Sequence, residues 1–403
     1  MRIAVVVGEY PLVSETFVHA QIRGLRQRGH EVHVFAVPPA SPSGRTSEPN
    51  VHYQPVLGRG VLRYLRAARL LRNASRLDRW ALVQSLNPLR FGREAISLGL
   101  LRAAAAWLPG RSYDVVHCQF GGNGVRAMML HELGVLGGPV VTTFHGTDMS
   151  AYLRRWGTGP YRRLLAAGDL FLPVCHRWSQ RLIELGGDPE RIRVHHMGVD
   201  CTRIPVARGP GPRRVLSVAR LIEKKGIEFG IRAFAHVARE RDDIIYRIIG
   251  GGELHPQLAR LAAQLGVGDR VIFAGPQSHA QVLRALHESD VFLAPSVTAA
   301  NGDEEGIPVS LMEAMAAGLP VVASRHSGIP ELVADGHSGL LAAERDVSGL
   351  AAGLGTLLDS PEQRRVMGLE GRARVLADYE IETQNDRLVE LFSGVIDEHS
   401  RAA

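Results

Sequence analysis

Glu305 and Glu313 flank the start of a helix, a position from which two carboxylates could hold the hydroxyls of a bound sugar nucleotide. Pro308 suits the first helical position, where a missing N–H costs nothing, and good helix formers run to Ala317 before Gly318 and Pro320 stop them. Behind the loop residues Gly306 and Ile307, the amides of Val309, Ser310 and Leu311 would then open at the positive end of the helix dipole, a ready site for phosphate. A second cationic feature is the strand-to-helix turn that ends in Arg220, Lys224, Lys225 and Gly226. The chain has 45 arginines and only two lysines, both in this turn, so a compact ammonium is wanted there. Arg220 can grip phosphate oxygens with its planar fork and Lys225 can add a point charge, whereas Lys224 reads as a solvated neighbour. Gly250 and Gly251 form another strand-to-helix turn, and Gly8 ends the first strand where backbone can approach a donor phosphate. His145 and Asp148 follow a strand end, where ligands meet a doubly wound sheet.

These residues resemble a known family. Glu305 and Glu313 form its E-x7-E pair, and the surrounding Glu-Gly-Ile-Pro and Glu-Ala-Met-Ala-Ala-Gly-Leu-Pro-Val-Val are similar to the retaining family-4 glycosyltransferases. His145 to Asp148 matches its His-Gly-x-Asp, and residues 217–226 resemble its diphosphate-binding turn. Ser14-Glu15-Thr16-Phe17 and the segment 195–200 resemble the branch typified by colanic-acid and related exopolysaccharide glycosyltransferases. The resemblance implies an α/β GT-B fold, two facing doubly wound Rossmann-like domains with a cleft between them. It also implies transfer of a sugar from a nucleoside diphosphate to an acceptor hydroxyl with retention of configuration. Glu305 would then orient the donor sugar, Glu313 bind the ribose, His145 contact the sugar from across the cleft, Ser14 and Glu15 serve the acceptor, and Asp148 either orient the His145 imidazole or bind the acceptor. No Asp-x-Asp triplet occurs, so Arg220, Lys225 and the helix amides are expected to stabilise the leaving diphosphate with no metal and no cofactor.

The elements that must position these groups are legible as periodicity. At 403 residues and 45% hydrophobic, the chain fits two domains. Val- and Ile-rich runs alternate with helix-length amphipathic segments, the pattern of helix-covered parallel sheets. One series comprises residues 3–7, 32–37, 115–118, 140–143, 170–174 and 193–195; the other comprises 215–218, 244–249, 271–274, 291–294, 321–323 and 339–341. The Pro- and Gly-rich stretch 201–212 reads as a linker between domains 1–200 and 213–380, residues 38–60 as an irregular excursion, and 381–403 as a helix able to return to the first domain.

Charge is unevenly spread. Residues 1–203 carry 26 arginines and 14 acidic residues, a formal +12, against −6 for the remainder. No zinc finger or aromatic RNA-binding signature accompanies it, which disfavours nucleic acid and favours an anionic acceptor or membrane. Arginines from Arg59 to Arg79 recur every three or four residues between leucines, open to two readings: a solvated helix, or contact with an anionic membrane on which a lipid-linked glycan acceptor is carried. Three scattered cysteines fit a reducing cytosol, and no run is apolar enough for a signal peptide or a membrane span, giving a protein soluble or peripheral at the inner face of the plasma membrane. His195 and His196 read as hinge structure and not as metal ligands. Two rival functions remain, a natural-product glycosyltransferase of aminoglycoside type and a non-catalytic two-domain sugar-binding protein; release of nucleoside diphosphate separates the last from an enzyme.

Overall fold

The protein is described by a computed structural model covering all residues except 13–14, 40–44, 47, 108–111, 208–212 and 403, and excepting the side chains of 76, 77 and 402. Apolar runs with few polar interruptions can be buried on both faces only inside a parallel sheet. The first sheet contains β1 (Arg2–Glu9), β2 (Glu31–Val37), β3 (Val51–Tyr53), β4 (Val115–Gln119), β5 (Val140–Phe144) and β6 (Leu170–Pro173). Its order is β3-β2-β1-β4-β5-β6, with every pair parallel. The second sheet contains β7 (Arg214–Val218), β8 (Ile245–Ile249), β9 (Val271–Phe273), β10 (Val291–Ala294), β11 (Val321–Ser324) and β12 (Leu340–Ala342). It repeats the same winding as β12-β11-β10-β7-β8-β9, again all parallel. In both sheets the order reverses beside the first strand, so a ligand crevice opens at the carboxyl ends of β1 and β4 and of β7 and β10.

Alternation along β1 shows how the core is divided. Ile3, Val5 and Val7 face one layer while Ala4 and Val6 face the other. The first layer is closed by the Thr16–Gln27 helix, through Ile22 and Leu25, and by the final helix Ile381–Ala402, through Leu388, Phe392 and Val395. The carboxyl end of the chain therefore packs on the amino-terminal sheet. Arg28 fastens it with ion pairs to Glu382 and Asp386, each at 2.7 Å.

Three local expectations fail. Residues 51–53, inside the expected excursion, add β3 as an edge strand beside β2. Residues 193–195 form no strand: the Arg193 and His195 amides donate to Phe171 and Pro173, but pairing on one side leaves only an isolated bridge at Ile192. The arginine-rich segment is two helices, Leu62–Asn73 and Arg76–Gln84, because Ala74 is extended and Ser75 starts the second by accepting the Asp78 amide.

Phe392 is fully buried between the final helix and the first sheet. Phe392→Ala is expected to cost ~3–5 kcal/mol of unfolding free energy in urea titrations, the range for deleting a buried aromatic side chain.

Candidate active site

Two loops, one from each sheet, cross with their backbones in contact. A Cβ on Gly306 would lie 2.3 Å from the His145 carbonyl oxygen, and one on Gly146 would lie 3.0 Å from the Glu304 carbonyl. Only glycine allows this approach. Beside the crossing, Lys224 is buried, 3.1 Å from Asp303, 3.3 Å from Glu305 and 3.3 Å from Thr147 Oγ1 of the first domain. The solvated role expected for Lys224 is thus corrected: it is the cation around which the crossing is built. Lys225 Nζ donates to Glu305 Oε2 at 2.9 Å. Burial alone would raise the Glu305 carboxyl, but Lys225 and Lys224 outweigh it and hold the group at about 2, fully ionised at neutral pH. His326, which the sequence reading missed, fixes the loop from behind. Its Nδ1 faces Glu344 at 2.6 Å, so Nε2 accepts the Glu305 amide at 3.0 Å.

On the opposite wall stands His145, between the rings of Phe17 and Phe120. Burial, and then the neighbouring His195, push its imidazole down to about 3, so it is neutral at pH 7. Gln119 Nε2 donates to Gln21, which leaves Gln119 Oε1 to accept from His145 Nε2 at 2.7 Å. The proton therefore sits on Nε2, and Nδ1 keeps its lone pair. Gln119 and Gln21 were invisible to motif reading. Phe120 holds φ at 69°, a conformation costing an ordinary residue ~1–3 kcal/mol and concentrated at functional sites.

The cleft enclosed by these walls measures about 960 Å³. Arg220, Lys225, Gly250, Gly251, Gly306, Ile307, Val309 and Ser310 line one side, and Glu9, Glu15, Phe17, Phe120 and His145 the other. Arg220 is exposed and has no acidic partner among the described residues. Gly250 has φ 137°, and a Cβ there would meet the Ala219 carbonyl at 1.9 Å, so glycine brings the β8 turn against the β7 turn that carries Arg220.

Other expected residues stand elsewhere. The helix begins at Val309, with Pro308 one place before it, and the Leu311 amide already donates to the Pro308 carbonyl at 3.0 Å. Leu311 is core, so Val309 and Ser310 alone offer first-turn amides to the cleft. Glu313 is buried behind the lining and pairs with His279 Nε2 at 2.9 Å, which raises the His279 pKa. Gly8 lies within β1 with open space around it. Of the two roles open to Asp148, the contacts in the structure are those of a residue that positions His145. Its buried carboxylate accepts the amides of Gly121, His145 and Gly146 at 2.8 to 3.0 Å, tying the His145 turn to the Gly121–Glu132 helix. Ser14 lies outside the described residues, and Glu15 occupies the N-cap position of the Thr16–Gln27 helix without a side-chain cap. Among the described residues no three potential ligands gather as a metal site.

Two facing doubly wound sheets with a cleft at their strand ends constitute the GT-B architecture. The chain belongs to glycosyltransferase family 4: the model of that name matches residues 14–203, and the one for glycosyl transferases group 1 matches residues 203–374. It is similar to WcaL of Salmonella typhimurium, named for colanic acid biosynthesis, at 37% identity over 98% of this chain and 100% of the relative. AmsK of Erwinia amylovora, an amylovoran biosynthesis glycosyltransferase, is 35% identical over 94% of this chain and 96% of its own. HepE of Anabaena, solved with UDP and glucose, shares the fold with a TM-score of 0.71 at 19% identity, covering 98% of this chain and 99% of HepE.

Burial, and then the charge of Glu9, raise Glu15 to about 7. A carboxyl whose folded pKa lies above its unfolded value of 4.5 loses stability as pH rises between the two. Glu15→Gln is expected to match the wild type in melting temperature near pH 4 and to exceed it at pH 8.

Proposed function

We propose that the enzyme transfers a sugar from a nucleoside diphosphate to an acceptor hydroxyl with retention, during assembly of an exopolysaccharide or related surface glycan. The observation that carries this reading is the Arg220 guanidinium, without an acidic partner among the described residues, set in one cleft with Lys225, two glycine turns and the Val309 and Ser310 amides. Such a cradle suits a diphosphate, and its fixed charges act most strongly on the negative charge that develops as the leaving group departs. The positive charge comes from the chain itself, so no divalent ion is assigned. HepE, with UDP and glucose, supports a nucleotide-sugar donor, and the WcaL and AmsK relatives support the glycan setting.

In the reaction the anomeric C–O bond breaks with its electrons passing to the diphosphate, while the acceptor oxygen attacks from the same face. The acceptor proton goes to a departing phosphate oxygen. Glu305, neutralised by two lysines, is poorly suited as a covalent nucleophile and well suited to orient the donor sugar. Neutral His145 adds an uncharged contact opposite, beside the charge that grows on the sugar ring. Glu313 keeps Oε1 on His279, which leaves its second oxygen for a ribose hydroxyl, and Glu9 and Glu15 face the acceptor side.

The acceptor is assigned as lipid-linked, with the first domain resting on the inner face of an anionic membrane. Arg63, Arg66, Arg69 and Arg72 alternate there with exposed Leu62 and Leu65, and among the described residues no helix is long and apolar enough to cross a bilayer.

A panel of nucleotide sugars assayed for nucleoside diphosphate release tests this reading. Arg220→Ala should cut turnover at least ~10²-fold, the usual worth of a fixed donor at a developing anion, and EDTA should leave the wild type unchanged. Normal turnover in the variant, or loss in EDTA that magnesium restores, would contradict it.

A further inference from the structure

A second groove, of about 580 Å³, opens on the first domain away from the sugar-nucleotide cleft. Its apolar lining comes from Phe91, Val125, Met129, Tyr152 and Trp156, and its rim carries Arg93, Arg162 and Arg163. The Trp156 ring lies between two guanidiniums, Arg93 at 3.7 Å and Arg155 at 4.8 Å from its centre. Among the described residues Arg163 pairs with Glu132, and the one acid of the lining, Glu94, is taken by Arg126, while Arg93 and Arg162 have no acidic partner. The groove is therefore apolar within and positively charged at its mouth. A ligand that satisfies both must join hydrocarbon to an anion.

Position relates this groove to the cleft. Phe120 lines the cleft and Gly122, two residues on, lines the groove, so the openings flank one helix start, the Gly121–Glu132 amino end that Asp148 ties to the His145 turn. Tyr152 and Trp156 belong to the helix that follows the same turn. On the outer side the Pro88–Ile96 helix, which supplies Phe91 and Arg93, exposes Leu89 at 98% and Ile96 at 65%. Large apolar side chains so exposed beside arginines suit a lipid surface.

We infer that the groove between the Pro88–Ile96, Gly121–Glu132, Ala151–Trp156 and Gly159–Ala167 helices holds the phosphate and first hydrocarbon units of a lipid phosphate, the anchor of the acceptor. This rests on the transferase reading given above and adds where the acceptor is gripped. The phosphate meets Arg93 and Arg162 at the mouth, the chain lies along the apolar wall, and the glycan end passes the helix start into the cleft beside Glu15.

The test is calorimetric titration of the full chain, without donor, with dodecyl phosphate below its micelle concentration. Saturable binding is expected, weakened at least ~10-fold by the double variant Arg93→Gln, Arg162→Gln, in line with loss of two charges beside an anionic headgroup. Arg239→Gln with Arg260→Gln, an exposed outer pair on the second domain, should leave it unchanged. Inorganic phosphate and the uncharged dodecyl maltoside should bind far more weakly. Equal binding of inorganic phosphate would reduce the site to an ion site, and equal binding of dodecyl maltoside would remove the demand for an anion. Either result, an unaffected groove variant or an equal loss in the outer pair would overturn the inference. Since no donor is present, failure here with nucleoside diphosphate release intact removes the groove alone, whereas failure of release condemns the transferase reading itself.

Discussion

Everything in the cleft depends on one buried ammonium. Lys224 touches Asp303 and Glu305 of its own domain and Thr147 of the other, at the point where glycines let two loops cross. Taking such a group out of water is expensive, and it is tolerated because two carboxylates and a hydroxyl replace the lost hydration. Removing it would strip Asp303 of its cation and leave Glu305 to Lys225 alone. In a chain otherwise built with arginine, lysine suits a point shared by three partners, since an ammonium is a compact charge and a guanidinium a planar fork.

From that point charge is distributed by task. Glu305 is neutralised on the spot, which leaves Arg220, among the described residues, as a donor-side cation without an acidic partner. His145, pushed neutral by burial, adds no charge opposite it. Glu9 and Glu15 line the cleft across from the proposed diphosphate cradle. The domains are held by contacts of the same kind: Arg177 with Glu304 at 2.7 Å, and Glu331 accepting the His176 amide at 2.8 Å to cap a helix of the first domain. Catalytic loop and domain contact are thus one structure.

How much was legible in the sequence follows from the range of each interaction. All six strands of the second domain were readable because each is a short apolar run bounded by turn residues, whereas β3 was lost within a proline-rich segment of three half-buried residues. Short-range motifs located Arg220 and His145 just past strand ends, Lys225 in the turn that follows β7, and Glu305 in the loop before the Val309 helix. The roles of Lys224, Gln119 and His326 were not readable, since each depends on a partner brought near only by folding. Asp148 shows the same limit from the other side: a motif gives the residue, but only the buried amides around it show that the carboxylate is spent on holding a turn. Glu313, equally prominent as a motif, lies behind the lining with His279 for the same reason.

The central claim, that the 220–225 turn and the helix start at Val309 grip a nucleoside diphosphate, is tested most directly by hydrogen exchange. Amide protection should be compared with and without a saturating nucleoside diphosphate. The account requires slower exchange at residues 219–226, 249–252 and 306–310, with residues 9–12 and 15–17 unchanged because that wall awaits the acceptor. Protection confined to the first-domain wall, or none at the 219–226 turn while the nucleotide is bound, would contradict it.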